Sequence, residues 1–515
     1  MPQPVDDITY VNSALTKVLP RYQKVRDCVE QTVKDKATVY LPEPSTEMDA
    51  TARAERYAAY LLRAVFYAVT ARTLLGMVGQ IYARPPQIQV PALLQSMEAD
   101  ATGSGLSLQQ LSVDTMYDVM ACGRAGLYVD YPALDTPATV AQTQRGEVKP
   151  TFTTYIPESI INWRTKVRGS KIVLSLVVLK ETIDKPGQWN SEQIVQYREL
   201  RLLQTLVDGV LRDVYTVTVY QEEDVAAPVQ TLGIEKSSTA TTRQWKSVSV
   251  ATPRDARGKP FDTIPFTFVG SMNNDAAVDE LPLYDLAELN IAHYRNSADY
   301  EESCFIMGQP TPWFSGLTVE WVDEVLKGKV LLGSRSAVLL PENSQAGLLQ
   351  VQANTMPLEA MKHKEAQMVA LGARLVENRA VRRTLGEVQQ SNASETSILA
   401  SCANNVSAAY TWALQWACQF VGADPNDCQF SLNTDFALTN MSAEDRIQLV
   451  ADLQAGVITF EEARAQLRRV GIATEDDTSA LTKITKWLMD AAKRAVAAKP
   501  AAKEVKPKID NRQKT

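Results

Sequence analysis

LPLYDLAELNIAHYRNSADYEESCFIM, residues 281–307, and PLEAMKHKEAQMVALGARLVEN, residues 357–378, are the two runs around which this chain is organised. The first has no glycine and a single proline, Pro282, placed in its first turn where a missing backbone N–H costs nothing. Apolar residues recur at Leu283, Leu286, Ala287, Ile291, Tyr294 and Ala298, with Asp285, Glu288, Arg295, Asp299 and Glu302 on other faces, so the spacing predicts one helix. At 1.5 Å per residue it is roughly 40 Å long. Gly308, Pro310 and Pro312 end it. The second run opens on Pro357 and repeats Leu358, Met361, Met368, Leu371 and Leu375 near helical spacing. Between them, 313–317 is apolar, 318–327 reads as a short helix, and 329–340 and 348–351 read as strands. Two long helices thus flank a small βαββ insert.

Composition sets outer bounds. A chain of 515 residues buries large cores and is expected to hold two to four domains. Its 45% hydrophobic and 22% charged content excludes an intrinsically disordered chain. No apolar run reaches the ~18 residues of a membrane span. The opening MPQPVDDITY lacks a basic stretch followed by an apolar core, so no secretory signal is expected. Cys28, Cys122, Cys304, Cys402, Cys418 and Cys428 are scattered without a CxxC, the distribution of reduced, mostly buried thiols of an intracellular product. A net charge of −7 argues against a surface whose main task is to grip nucleic acid, but not against one past which nucleic acid slides.

Taken in order, 9–33 and 50–82 carry helical spacing, the latter closed by Arg84, Pro85 and Pro86. Residues 106–122 are amphipathic, with Ser107 as the cap, and Gly123-Arg124-Ala125-Gly126 turns into the strand 127–131. From 149 to 270 the chain is β-rich, with strands at 152–156, 160–164, 172–180, 193–203, 213–221, 246–251 and 264–269. The polar intervals 136–148 and 237–244 read as exposed loops. Beyond the second organising run, 379–392 is a polar loop with Arg379, Arg382 and Arg383. Residues 393–422 form a long helix capped by Ser394 or Ser391, and 429–436 form a short strand. Helices at 442–453, 459–469 and 477–498 follow, two of them opening on Ser442/Asp445 and Thr459/Glu462 capping pairs. A lysine-rich tail closes the chain.

The search for chemistry finds no enzyme. His293 and His363 sit midway along the two organising helices with no second ligand at metal spacing, so they read as helix-face or packing residues. GxxxxGK[ST], GxGxxG and GxSxG are absent, and Gly103-Ser104-Gly105 is a linker. Glu301-Glu302 and Asp476-Asp477 are adjacent in sequence, so on a helix they diverge rather than pair for acid–base work. Two basic features stand out in an acidic chain. Arg379, Arg382 and Arg383 are either solvated loop charges or contacts to a phosphate backbone, and the tail is either a solubilising terminus or a docking arm.

The element order resembles the portal proteins of tailed bacteriophages, and more closely a portal-like phage family. The stretches that carry the resemblance are Thr70-Ala71-Arg72-Thr73 with Gly76 and Gly79, Gly123-Arg124-Ala125-Gly126-Leu127 leading to Asp130-Tyr131-Pro132, Ile160-Ile161-Asn162-Trp163-Arg164, Ile264-Pro265-Phe266, residues 289–300 (LNIAHYRNSADY), Leu371-Gly372-Ala373-Arg374-Leu375 and Leu432-Asn433-Thr434-Asp435-Phe436. The likeness spans roughly residues 10 to 440, and the motif around 290–300 is the most specific.

The resemblance implies an α+β, mainly helical portal fold. Residues 1–280 form a wing, 281–307 the first stem helix, 308–356 a small α/β clip inserted between the stem helices, 357–378 the second stem helix and 379–392 a tunnel loop. A wing helix and strand occupy 393–441 and a helical crown 442–498, although beyond Ser442 only the helical pattern and no family motif is seen; composition alone makes 499–515 a basic disordered tail. The resemblance further implies a homo-oligomeric ring, usually of twelve subunits, at one capsid vertex, through which double-stranded DNA is packaged by the terminase and later ejected, connecting head to tail. The partners it implies are the terminase large subunit, a head-completion or neck adaptor, the major capsid protein and a scaffolding protein, with no cofactor. Arg379, Arg382 and Arg383 would touch DNA without sequence specificity, Trp313, Phe314 and Trp321 in the clip would meet partners or neighbouring subunits, and Asp285, Glu288, Arg295, Asp299 and Glu302 would form the stem's polar face. Which of the stem carboxylates faces the channel stays open. Twelve copies at −7 sum to about −84, a charge past which a polyanion slides. The other reading that the sequence allows is a different head or neck component, an adaptor or a minor capsid protein.

Overall fold

The structure, a computed structural model, describes residues 7–44, 49–131, 142, 145, 147–186, 189–207, 209–226, 241–327, 330, 339–350, 355–376, 397–434, 436, 443–469, 473 and 476–497. It is mixed α/β with several sheets, and its residues divide into two compact units, Met1–Thr434 and Asp435–Thr515.

In the first unit the described elements are α1 (Ser13–Val29), α2 (Ala50–Arg63), α3 (Val69–Ile81), β1 (Gln87–Gln89), α4 (Ser96–Ala99), α5 (Leu108–Cys122), β2 (Arg124–Asp130), β3 (Thr151–Tyr155), β4 (Ile160–Arg168), β5 (Lys171–Pro186), β6 (Ser191–Val207), β7 (Val210–Ala226), β8 (Thr241–Ala251) and β9 (Phe266–Gly270). They continue with α6 (Tyr284–Gly308), β10 (Thr311–Ser315), β11 (Gln345–Leu349), α7 (Met356–Val376), α8 (Ile398–Val421) and β12 (Gln429–Ser431). Helix α8 is the spine. Leu399, Cys402, Val406, Tyr410, Ala413 and Ala417, at helical spacing, are all buried, and Ser397 caps the helix by accepting from the Ala400 N–H at 3.2 Å. The cap is Ser397, not Ser391 or Ser394, which lie outside the described residues.

The β-rich stretch builds two antiparallel sheets. The smaller, ordered β3-β2-β9, buries β2 almost completely against α5 and α8. Its entry depends on Gly123, which closes α5 at φ +72°, and a Cβ there would lie 2.5 Å from the Glu280 carbonyl oxygen. Arg124 follows, buried, with its guanidinium 3.5 Å from the Phe268 ring centroid and 4.4 Å from that of Trp163. The Gly-Arg-Ala-Gly motif is therefore spent on chain geometry and core packing. The larger sheet runs β4-β5-β6-β7-β8 in sequence order. Its strands reach 17 residues, longer than their apolar cores predict, because cross-strand ladders continue through polar ends such as Asp184↔Gln193 and Gln204↔Asp213. Residues 241–244, expected in an exposed loop, belong to β8, while 237–240 and most of 136–148 lie outside the described residues.

Two further readings change. The helix expected over 50–82 is broken at 64–68, a stretch with neither Gly nor Pro, and β1, which the sequence did not signal, pairs antiparallel with β12. Pro282 precedes α6 rather than sitting in its first turn.

The second unit contains α9 (Ala443–Gln454), α10 (Phe460–Arg469) and α11 (Asp477–Ala497), close to the expected bounds. Thr459 and Glu462 form the predicted capping box, with the Glu462 N–H donating to Thr459 Oγ1 at 3.2 Å and the Thr459 N–H to Glu462 Oε2 at 2.8 Å. Ser442 and the basic tail lie outside the described residues.

Candidate functional site

Helices α6 and α7 lie along each other as a hairpin. His293 Nε2 and Glu365 Oε1 are 3.2 Å apart, Lys364 Nζ donates to Asn296 Oδ1, and Met368 is buried in the seam. The later residue of α6 thus meets the earlier of α7, which makes the pair antiparallel.

The motif at 289–300 has a clear task here. Asn290, His293, Tyr294 and Ser297 stand at i, i+3, i+4 and i+7 and are all buried, so they share one face. That face holds the break between α2 and α3. Asn290 Oδ1 accepts from the Thr70 N–H at 3.2 Å and from Thr70 Oγ1 at 2.9 Å, while its Nδ2 donates to the Tyr67 carbonyl at 2.8 Å. Ser297 Oγ accepts from the Val65 N–H at 3.2 Å, and Lys34 Nζ donates to the carbonyls of Leu62 and Ala64 at 2.9 and 3.0 Å. Backbone groups that a continuous helix would pair internally are paired instead with α6 and Lys34. A local reading of 50–82 misses this because the partners on α6 lie more than 200 residues away and Lys34 lies outside the run.

The charged residues of α6 also have partners within the chain. Glu288 accepts from Lys24 Nζ and, at 2.6 Å, from the Tyr284 hydroxyl. Partial burial pushes its pKa up, but donation from Lys24 and Tyr284 outweighs this, and the carboxyl sits below its usual range. Arg295 Nε donates to the Tyr40 carbonyl at 2.7 Å, and Tyr60 Oη donates to Asp299 Oδ1 at 2.7 Å. Arg63 pairs with Glu302 and lies 4.1 Å from the Phe305 ring centroid. Of the five residues expected on a polar stem face, Glu288, Arg295, Asp299 and Glu302 are thus engaged by α1, α2 and the segment between them, and Asp285 is exposed. The open side of the hairpin lies largely on α7, where Glu359, Lys362, His363, Ala366, Val369 and Ala370 are exposed.

Between the helices, β10 and β11 form a two-stranded antiparallel sheet, with Pro312 opposite Leu348 and Phe314 opposite Ala346. Trp313 lies across Gly347, where a Cβ would meet its Nε1 at 2.8 Å, yet remains 42% exposed. Phe314 is half-buried, and Trp321, in a π-helical turn over Trp321–Val325, donates its Nε1–H to the Leu339 carbonyl at 3.3 Å. Leu339, Leu348 and Leu349 are exposed. The structure thus brings Trp313 and Phe314 onto one strand and Trp321 onto the following turn. The strand expected over 329–340 lies mostly outside the described residues, and that expected over 348–351 is observed at 345–349. Arg379, Arg382 and Arg383 also lie outside them.

Among the described residues no three His, Cys, Asp or Glu side chains gather to hold a metal, and no helix is long and apolar enough to cross a membrane. His293 is buried, its Nδ1 without a hydrogen-bond partner among the described residues, and His363 is exposed beside Gln367.

A family described as a domain of unknown function (DUF4055) matches residues 282–421, from the start of α6 to the end of α8. No curated protein matches the chain. Solved structures similar to it include a chain from the virion of a native gene transfer agent particle, 15% identical, covering 86% of this chain and 99% of that one at a TM-score of 0.38. Another comes from the neck of an empty gene transfer agent particle, 14% identical, covering 79% and 91% at a TM-score of 0.39. A third comes from the neck of the native particle computed with C12 symmetry, 15% identical, covering 80% and 93% at 0.38.

Proposed function

We propose that this chain is a portal-like subunit of a phage-type particle, assembling with its own copies into a ring that double-stranded DNA crosses on its way into and out of the head. The observation that carries this reading is the α6–α7 hairpin with its insert. A two-stranded sheet alone is marginal in water, and β10–β11 leaves Trp313, Leu339, Leu348 and Leu349 uncovered. An insert of this kind suits a surface completed by other chains, and it agrees with the clip that the sequence motifs imply. In this reading α6 and α7 are the stem, and the charged face of α6 ties the stem to the wing rather than lining the channel. The exposed face of α7 then supplies the side turned to neighbours or to the channel. Residues 379–392 follow α7 directly, so Arg379, Arg382 and Arg383 are proposed as the groups that touch passing phosphates. The terminase, the neck adaptor and the capsid proteins are the partners this reading requires.

The size distribution of the purified full chain tests it. Twelve copies of the 56.8 kDa chain give a particle of about 680 kDa. A population confined to monomer at every concentration and ionic strength would count against the ring. In a packaging assay, Arg379→Ala, Arg382→Ala and Arg383→Ala made together leave the particle size unchanged and alter DNA uptake or retention. Unaltered packaging by that variant would remove the arginines from the DNA path.

A further inference from the structure

A second group of cations lines a cleft of about 580 Å³ at one end of the five-stranded sheet. Arg168 at the end of β4, Arg212 near the start of β7, and Arg254, Arg257 and Lys259 in the loop after β8 all line it. In a chain of net charge −7, five cations converging on one cleft is a marked local excess. Among the described residues two carboxylates share the lining, and both have partners: Asp213 with Lys166 at 2.6 Å, and Asp262 with Arg168 at 3.3 Å. Among the described residues, the side chains of Arg212, Arg257 and Lys259 meet no carboxylate at ion-pair distance.

The loop that presents three of these cations is built and anchored. Arg254 and Pro260 form an antiparallel bridge, and Arg254 Nη1 donates to the Gly258 carbonyl at 2.8 Å. Asp255 Oδ1 accepts from the Arg257 and Lys259 N–H groups at 2.9 and 2.8 Å, and Gly258 turns the chain at φ +77°. The Ala256 N–H donates to the Gln419 carbonyl of α8 at 3.3 Å, which fixes the loop to the buried spine. Asp255 Oδ1 therefore holds backbone N–H groups, and among the described residues Arg212, Arg257 and Lys259 are left without an acidic partner. Like charges gathered on a rigid frame cost free energy unless an anion relieves them.

We propose that this cleft binds the phosphodiester backbone of nucleic acid without reading its sequence. Four of the five cations are guanidinium groups, whose planar forks match phosphate oxygens. The volume lies in the ~300–1,000 Å³ range of ligand sites, too large for a lone phosphate. Its apolar lining among the described residues is Leu211, Val214 and Pro260, with no aromatic ring among them on which a base could stack. An acidic polypeptide would lack the aromatic or aliphatic anchor pocket that fixes register in peptide sites. The cleft exists in a single chain, so the inference stands or falls independently of the ring.

The test uses the full chain and a fluorescein-labelled 20-base-pair duplex of scrambled sequence, with anisotropy read across a salt series. It is run in the background where Arg379, Arg382 and Arg383 are alanine. Changing Arg212, Arg257 and Lys259 together to Gln weakens binding at least tenfold and lowers the slope of log K against log salt by about two to three, since each phosphate contact contributes about 0.9. The charge-keeping variant Arg212→Lys with Arg257→Lys folds with the same surface charge, retains the slope and loses part of the affinity. Unchanged affinity and slope in the Gln variant overturn the proposal. So does displacement of the duplex by poly-glutamate as effectively, charge for charge, as by unlabelled DNA, because the cleft would then be an acidic-peptide site.

Discussion

Replacing Asn290 by Ala removes the side chain that holds the break between α2 and α3. Three hydrogen bonds go with it, two from Thr70 and one to the Tyr67 carbonyl. Thr70 is fully buried, so its N–H and hydroxyl lose their acceptor where water cannot replace it, whereas the Tyr67 carbonyl lies beside a half-exposed residue and rehydrates more easily. An unsatisfied buried donor costs about 1–3 kcal/mol, so the change destabilises the 64–70 segment by about 2–4 kcal/mol. Because Thr70→Val removes only the hydroxyl, it costs about 1 kcal/mol. Hydrogen–deuterium exchange of peptides covering 64–72 reads this directly. At about 1.4 kcal/mol per tenfold, protection falls roughly 30-fold to several-hundred-fold in Asn290→Ala and by less than about tenfold in Thr70→Val. The loss also spreads to the C-terminal turns of α2, since Tyr60 and Arg63 reach Asp299 and Glu302 only while the break keeps its angle. Exchange over 64–72 that matches the parent protein would refute the assignment of the 289–300 motif as the clasp of this break.

Two further perturbations probe the frame around it. Burial lifts the Asp118 carboxyl to about 6 from its ordinary 3.8, against the opposing pull of Arg26 at 3.0 Å. The folded protein thus holds a proton there that the unfolded chain gives up, and the stability this supplies is present below about pH 3.8 and lost as pH rises toward 6. Asp118→Asn abolishes that dependence, so between pH 4 and 6.5 the parent's stability falls by up to about 3 kcal/mol relative to the variant; parallel melting curves across that range would contradict it. Gly123→Ala sets a Cβ 2.5 Å from the Glu280 carbonyl at φ +72°, and it lowers thermal stability by at least about 2 kcal/mol; a melting temperature equal to the parent's would show that the α5–β2 turn relaxes freely.

Much of the fold is legible in the sequence where a single element carries its own signal. The periodicity of α6, α7 and α8, the capping box at Thr459 and Glu462, and the strand-type residues of the long strands all mark elements near their observed positions. What escapes depends on distant partners. The break at 64–68 is made by Asn290 and Ser297, β1 exists because β12 lies beside it, and the cap of α8 falls on Ser397 rather than on an earlier serine. The proposed site shows the same division. Trp313 and Phe314 stand on β10 and Trp321 in the turn after it, close in the sequence as well as in the insert. Glu288, Arg295, Asp299 and Glu302 look like a free polar face because a helix wheel shows which residues are polar but not which of them a neighbouring helix pairs. The cationic cleft was equally out of reach, since Arg168, Arg212 and Arg257 come from three separated stretches that only the sheet brings together.

Electron micrographs of the purified full chain test the central proposal most directly. The portal-like reading predicts rings in end-on views, with an open central channel, a repeat near twelve and a flared side profile in which the 309–355 insert forms the narrow end. Compact particles without a channel, or monomers alone, would contradict it.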